Sequence, residues 1–268
     1  MLESRTLVDT AEATVAEVRC LHEQPGWSAL EPVRRFGVVL VRSGVFRREV
    51  DGAEAVVDAC AGYVQRPGSE QRFNHPAGDD VCTFVSLPAA ELELVTRGAE
   101  LSRDAPVLTS AAVDLGHRAL AARARAGTAA PDELAERAVV LVGGVLAGLA
   151  PDAVAAGFPV ARSAHRAADQ VRQALATDPG LGLADLGRVA GLSSYHVSRV
   201  FRRTTGVTIS AFRSRLKVRQ ALDRLAAGER DLAALAIGSR FADQAHLTRV
   251  VRRETGRTPG QLRALLAP

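Results

Sequence analysis

The chain has 268 residues, 47% hydrophobic and 24% charged, which suffices for two units with cores of their own and excludes a wholly disordered chain. Its longest apolar run, 138–150, is too short to span a bilayer, and the opening residues, with Glu3, Asp9 and Glu12, lack the basic-then-apolar order of a secretion signal. The net charge of +4 hides an asymmetry: residues 163–268 carry 18 Arg/Lys against 8 Asp/Glu, +10, and the rest 16 against 22, −6, so a polyanion is expected at one end only. A cytoplasmic protein is therefore expected, with no membrane partner. Three cysteines, Cys20, Cys60 and Cys82, are too few and odd in number for a disulfide framework.

In chain order, residues 1–14 read as a polar arm. From Ala16 to about Leu87, short apolar or alternating runs are broken by turn residues. The run 38–41 ends at Ser43-Gly44, 45–50 ends at the hairpin signal Asp51-Gly52, and 55–57, 62–64 and 81–87 follow. Closely spaced strands with Gly and Pro at the turns predict a small antiparallel barrel or sandwich. From Pro88 the chain turns alanine- and leucine-rich, with helices expected over 89–99, 111–126 and 132–149. Gly143, Gly144 and Gly148 make the last of these a poor helix former, suited either to close packing or a dimer surface, or to burial as a helix closing the barrel. Residues 151–159 read as a linker. The expected units are 1–150, a linker over 151–162, and 163–268.

The third unit should be helical throughout: a helix from near Arg162–His165 to Thr177, a short one ending at Gly191, a long one over 209–227, and a short one over 232–237. Within it one stretch occurs twice, 50 residues apart and without a gap, at 193–206 and 243–256. His196/His246, Arg199/Arg249, Val200/Val250, Arg202/Arg252, Arg203/Arg253, Thr205/Thr255 and Gly206/Gly256 are identical. Each copy opens on a good helix cap, Ser193 or Asp243, and closes on glycine. Helix, turn and second helix thus recur, joined by a helix of about 19 residues spanning ~28 Å, a scale compatible with neighbouring major-groove segments ~34 Å apart.

Such a unit packs a short helix across a second one that enters the major groove. Leu186, Val189, Leu192, Val197, Val200 and Phe201 are the expected core of the first, and Leu235, Phe241, Leu247, Val250 and Val251 of the second. Ser194, Tyr195, Ser198 and Arg199, and in the second copy Gln244, Ala245, Thr248 and Arg249, are left facing outward. Arginine can chelate guanine and glutamine can pair with adenine. Arg202, Arg203, Arg252 and Arg253 lie further along and suit phosphates, which position without reading sequence. A lone exposed arginine is usually inert; the repetition of the whole unit is what argues for double-stranded DNA.

Residues 182–264 resemble the DNA-binding domain of AraC/XylS-type transcription regulators. The resemblance is carried by 183–186, Gly191-Leu192-Ser193, 196–201, 219–222, 241–249 and above all Thr255-Gly256-Arg257-Thr258-Pro259-Gly260. It implies that Tyr195, Ser198, Arg199, Gln244, Ala245, Thr248 and Arg249 occupy base-facing positions. It also implies a cupin-like antiparallel barrel with a helical spacer ahead of the DNA-binding domain, an α+β architecture overall. One departure stands out: the family usually has glycine in the second turn before the position of Phe241, and this chain has Arg240. If that turn needs positive φ, the arginine costs on the order of 1 kcal/mol.

Cupin metal enzymes usually carry His-x-His and a nearby Glu after the turn that follows Tyr63. Here the turn leads to Ser69-Glu70-Gln71-Arg72 and no His-x-His exists, so no enzyme and no cofactor are expected. Cys20, His22, His75 and Cys82 combine soft and borderline ligands, and exposed thiolates can sense oxidants. Their spacing matches no recognised metal pattern, which favours reading the cysteines as small hydrophobes. The expected protein is a one-component regulator whose barrel senses an effector or a dimerisation state. RNA polymerase would be a partner if it activates, and a homodimer is left open. The alternatives are a constitutive DNA-binding protein whose barrel only oligomerises, and a metal- or thiol-responsive regulator.

Overall fold

The computed structural model describes residues 2–21, 26–76, 79–96, 106–148 and 162–266. The described chain opens with strands β1 (Leu2–Asp9), β2 (Thr14–Cys20), β3 (Glu31–Pro32), β4 (Gly37–Ser43), β5 (Val45–Val50), β6 (Ala53–Asp58), β7 (Ala61–Gln65), β8 (Glu70–Asn74) and β9 (Asp80–Ser86). Strand β10 (Val107–Leu108) follows helix α1 (Ala89–Thr96). The strands form two antiparallel sheets, six-stranded in the order β1-β2-β9-β4-β7-β10 and four-stranded in the order β3-β8-β5-β6.

Alternation along the strands builds two cores from one sheet. On β4, Val39 and Val41 face inward and join Phe46, Val57, Tyr63, Cys82 and Phe84 between the sheets. Val38 and Leu40 face the other way, with Val15, Val64 and Val85, against α2 (Ala111–Ala126) and α3 (Pro131–Gly148). The β5–β6 hairpin turns on Asp51 and Gly52 at φ 47° and 79°, the left-handed pair that matches strand twist.

The expected barrel-then-helices order holds, and α2 occupies the expected residues. Helix α3 is the core-closing helix of the two readings above: Leu134, Ala138, Leu141, Val142 and Val145 are buried against the sheet, while Val140 is left exposed. Residues 2–9 correct the expected arm. They form an edge strand paired with β2, held by backbone bonds while most of its side chains face solvent, so no hydrophobic alternation marks it. Strands β3, β8 and β10 were likewise not foreseen, being short or polar. The expected linker, 151–159, lies outside the described residues.

The remaining helices are α4 (Arg162–Thr177), α5 (Leu183–Ala190), α6 (Ser194–Thr205), α7 (Ile209–Ala226), α8 (Leu232–Gly238), α9 (Gln244–Thr255) and α10 (Pro259–Leu266). They hold two cores, one around α5 and α6 and one around α8 and α9. The N-terminal unit contributes to both: Cys60 and Leu108 to the first, Leu115 and Ala119 of α2 to the second.

Buried charge crosses the same boundary. Arg118 of α2 donates to Asp114 at 3.1 Å, to Asp223 of α7, and to the Arg42 carbonyl of β4 at 2.7 Å. Arg219 of α7 approaches Asp114 at 3.5 Å. On the other side Arg172 of α4 donates to Asp58 of β6 at 2.9 Å, whose second oxygen accepts the Cys60 N–H at 2.8 Å. Burial opposes ionisation of Asp114, but Arg118 and Arg219 dominate and hold its carboxyl well below the usual carboxylate range.

Candidate nucleic-acid interface

Each helix-turn-helix unit is set by its caps. The Ser193 side chain accepts from the His196 N–H at the start of α6, and Asp243 accepts from the His246 N–H at the start of α9. Gly206 and Gly256 end the two helices in the left-handed conformation, at φ 75° and 72°.

The two turns share a closure. After α5, the Gly191 N–H reaches Arg188 O at 3.3 Å and the Leu192 N–H reaches Gly187 O at 2.8 Å. After α8, the Arg240 N–H reaches Ile237 O at 3.0 Å and the Phe241 N–H reaches Ala236 O at 2.9 Å. Both are paired 5→2 and 6→1 closures that demand a left-handed residue. Gly191 supplies it at φ 64°, and Arg240 supplies it at φ 59°. The suspected positive φ at Arg240 is therefore real, and the arginine is anchored by Asp178 at the end of α4, Nη1 to Oδ1 2.5 Å. The second turn also runs one residue longer, Ala242, before its cap.

Below the turns the cores are as expected, with one exception. Leu186, Val197 and Phe201 are buried in the first unit, and Leu235, Phe241, Leu247, Val250 and Val251 in the second. Leu192 and Val200 are half-buried. Val189 is a correction: it is 45% exposed, because α5 turns Leu186 and Gly187 inward and leaves Val189 at the edge of its apolar stripe.

Ser194, Tyr195, Arg199, Arg202 and Arg203 on α6, and Gln244, Ala245, Arg249, Arg252 and Arg253 on α9, are all exposed. Ser198 and Thr248 are half-buried, their hydroxyls donating to Ser194 O at 3.3 Å and Gln244 O at 2.9 Å, which leaves them as acceptors. Arg199 lies along Tyr195, Nη1 to Oη 3.2 Å with the guanidinium 5.4 Å from the ring centre. Arg253 is drawn to Glu254 at 3.3 Å. Between the units a cleft of about 470 Å³ is lined by Thr208, Ser210, Ser214, His246, Arg253 and Glu254. Sequence reasoning missed it, although Thr208, which caps α7 by accepting from the Ala211 N–H, is a visible helix start.

The family model described as a helix-turn-helix domain matches residues 186–264. This stretch is an AraC-type helix-turn-helix domain. It supports a DNA-binding transcription regulator. No curated protein matches the chain. Among solved structures, the chain is similar in outline to Vibrio cholerae ToxT with an unsaturated fatty acid bound, at 9% identity over 96% of each chain and a TM-score of 0.38. A second ToxT structure, from Vibrio cholerae O395, is 10% identical over 96% of this chain and 99% of that one, at a TM-score of 0.38. A cupin barrel protein from Leptotrichia buccalis matches 33% of this chain and 41% of its own at 12% identity and a TM-score of 0.29.

The N-terminal candidates are partly brought together. Cys20, Cys60 and Cys82 are all buried, as the favoured reading of them as small hydrophobes expected and not as exposed thiolates: burial pushes the Cys60 thiol up to about 12 and raises Cys20 and Cys82 too. His75 and Cys82 both approach Asp80. His22 lies outside the described residues. No described helix is long and apolar enough to cross a membrane.

Proposed function

We propose that the chain is a one-component regulator in which α6 and α9 read neighbouring major-groove segments and the N-terminal sandwich sets their arrangement. Tyr195, Arg199, Gln244 and Arg249, with Ser194, Ser198, Ala245 and Thr248 beside them, face base edges, while Arg202, Arg203, Arg252 and Arg253 neutralise phosphates. The observation that carries this reading is the repeated unit: two capped helices with matching outward faces, joined by the 18-residue α7, about 27 Å long.

Control from the sandwich is supported by the boundary itself. Arg118, Asp114, Arg219 and Asp223 tie α2 to α7, yet among the described residues Arg219 Nε and Nη2 make no hydrogen bond, Nε only approaching Asp114 at 3.5 Å. An incompletely satisfied buried network is costly, so an alternative arrangement needs little extra free energy to compete. The effector would enter a cleft of about 430 Å³ on the N-terminal unit, walled by Ala13, Phe36, Pro67, Leu87, Pro88 and Leu92, in which Arg35 is the one charged residue among the described lining residues. That size and apolar lining suit a small, largely apolar molecule.

Footprinting of the full chain on selected DNA tests the first half: two protected segments one helical turn apart are expected, with affinity falling steeply as salt rises. A single segment would overturn the two-reader assignment. The second half is tested by thermal shift against small-molecule pools. A ligand that raises the melting temperature and alters DNA affinity is expected, whereas DNA binding indifferent to every pool would favour a constitutive binder.

A further inference from the structure

At the end of the sandwich away from that cleft, three metal-ligating side chains converge. Cys20 closes β2 directly opposite Asp80, which opens β9; opposed residues share a face, and Cys82, two residues along β9, shares it as well. That face looks into the space between the sheets, where Cys82 packs with Phe46 and Tyr63. His75 returns over it from the end of β8. Its ring lies against Phe46 at 5.2 Å and Phe73 at 6.3 Å, and Nδ1 is 2.5 Å from Asp80 Oδ2.

One donor atom each from Cys20, His75 and Asp80 lie within 4.8 Å of one another. Metal–ligand bonds of about 2.0–2.3 Å in a tetrahedron place donors about 3.3–3.8 Å apart, so an ion would open the 2.5 Å contact between His75 and Asp80 by about 1 Å while the remaining donors need movements of about the same size or less. Two donors sit on paired strands and the third on an aromatic bed, an arrangement that fixes geometry before an ion arrives. The chain also passes close by: a Cβ on Gly44, at φ 88°, would meet Asp80 Cβ at 2.6 Å.

We propose that Cys20 Sγ, a His75 ring nitrogen and an Asp80 carboxylate oxygen form a binding site for one divalent ion of the zinc class. Sulfur and imidazole donors select zinc or cobalt over magnesium and calcium, which take oxygen alone. The ion binds the deprotonated thiol, so uptake releases a proton to solvent. Cys82, with Sγ 3.6 Å from Asp80 Oδ1, is the nearest further thiol for the fourth position. A bound ion would fasten the β8–β9 connection to the end of β2.

The test is metal binding by the full chain after chelator treatment, read without DNA, so it stands or falls apart from the regulatory reading. Calorimetric titration with zinc chloride should give one ion per chain. Cobalt(II) chloride should give a thiolate-to-cobalt charge-transfer band in the near ultraviolet. Cys20→Ala should lose most of that band, and Cys20→Ala and His75→Ala should each weaken zinc by at least about tenfold, while Cys60→Ala, in the distant helical core, keeps both signals. Circular dichroism confirms folding of each variant, and Asp80→Asn, nearly isosteric, provides a third ligand change where either alanine variant fails to fold. Absence of stoichiometric zinc, or equal binding by the ligand variants and the parent, would overturn the site.

Discussion

Arg240 is where the two units part company. Gly191 adopts the left-handed conformation without penalty, whereas Arg240 holds it at about 1 kcal/mol, braced by an exposed pair with Asp178. The Gly180 N–H and then Arg240 hold the Asp178 carboxyl below its ordinary value. On the proposed function the first unit is thus the better-formed reader, and Arg199, steadied along Tyr195, is expected to carry more of the sequence discrimination than Arg249. Binding to a panel of mutated sites should show Arg199→Ala losing more than Arg249→Ala; equal losses would refute the ranking. The turn can be tested by itself. In high salt, where the Asp178 pair is screened, Arg240→Gly should stabilise the protein by about 1 kcal/mol in denaturant melts, and a loss of stability would show that the backbone is not strained there.

Elements were legible in proportion to how far one physical rule decided them. The Asp51-Gly52 hairpin followed from turn chemistry, α2 from its alanine- and leucine-rich composition, and α6 and α9 from caps and repetition. Strands β1 and β8 were hidden because their pairing is made by backbone atoms beneath exposed or charged side chains such as Glu70 and Arg72. Of the outward residues on α6 and α9, all but Ser198 and Thr248 are exposed as the repeat suggested, and those two are held back by bonds to their own helix. The Cys20, His75 and Asp80 cluster could not be read from spacing. It depends on the register that sets Cys20 against Asp80 across two strands 60 residues apart in sequence.

Across the whole molecule, the unforeseen feature is charge buried between its two halves. Asp114 and Arg118, four residues apart on α2, could have signalled it, since charges inside an apolar helical stripe need partners. His117 lies in the same layer, bonded to Thr83 of β9 at 3.3 Å, with Asp114, Arg118 and Arg42 around it. Burial pushes its pKa down to about 4, against the pull of Asp114. The unfolded chain, with an ordinary histidine near 6.5, binds the proton first. Stability should therefore fall as pH drops from about 6.5 towards 4, and rise again on return. On this account the loss between pH 7 and pH 5 is on the order of 2 kcal/mol. His117→Gln should remove most of that dependence in urea melts at the two pH values; an unchanged dependence would place the acid sensitivity elsewhere.

Cys60 and Leu108 complete the core of the first helix-turn-helix unit, and Leu115 and Ala119 that of the second. The helix-turn-helix half is consequently not a portable module. Residues 163–268 grafted onto another sensor would carry two open apolar sockets, and any new host would have to supply side chains of matching shape before the graft could hold its helices in register.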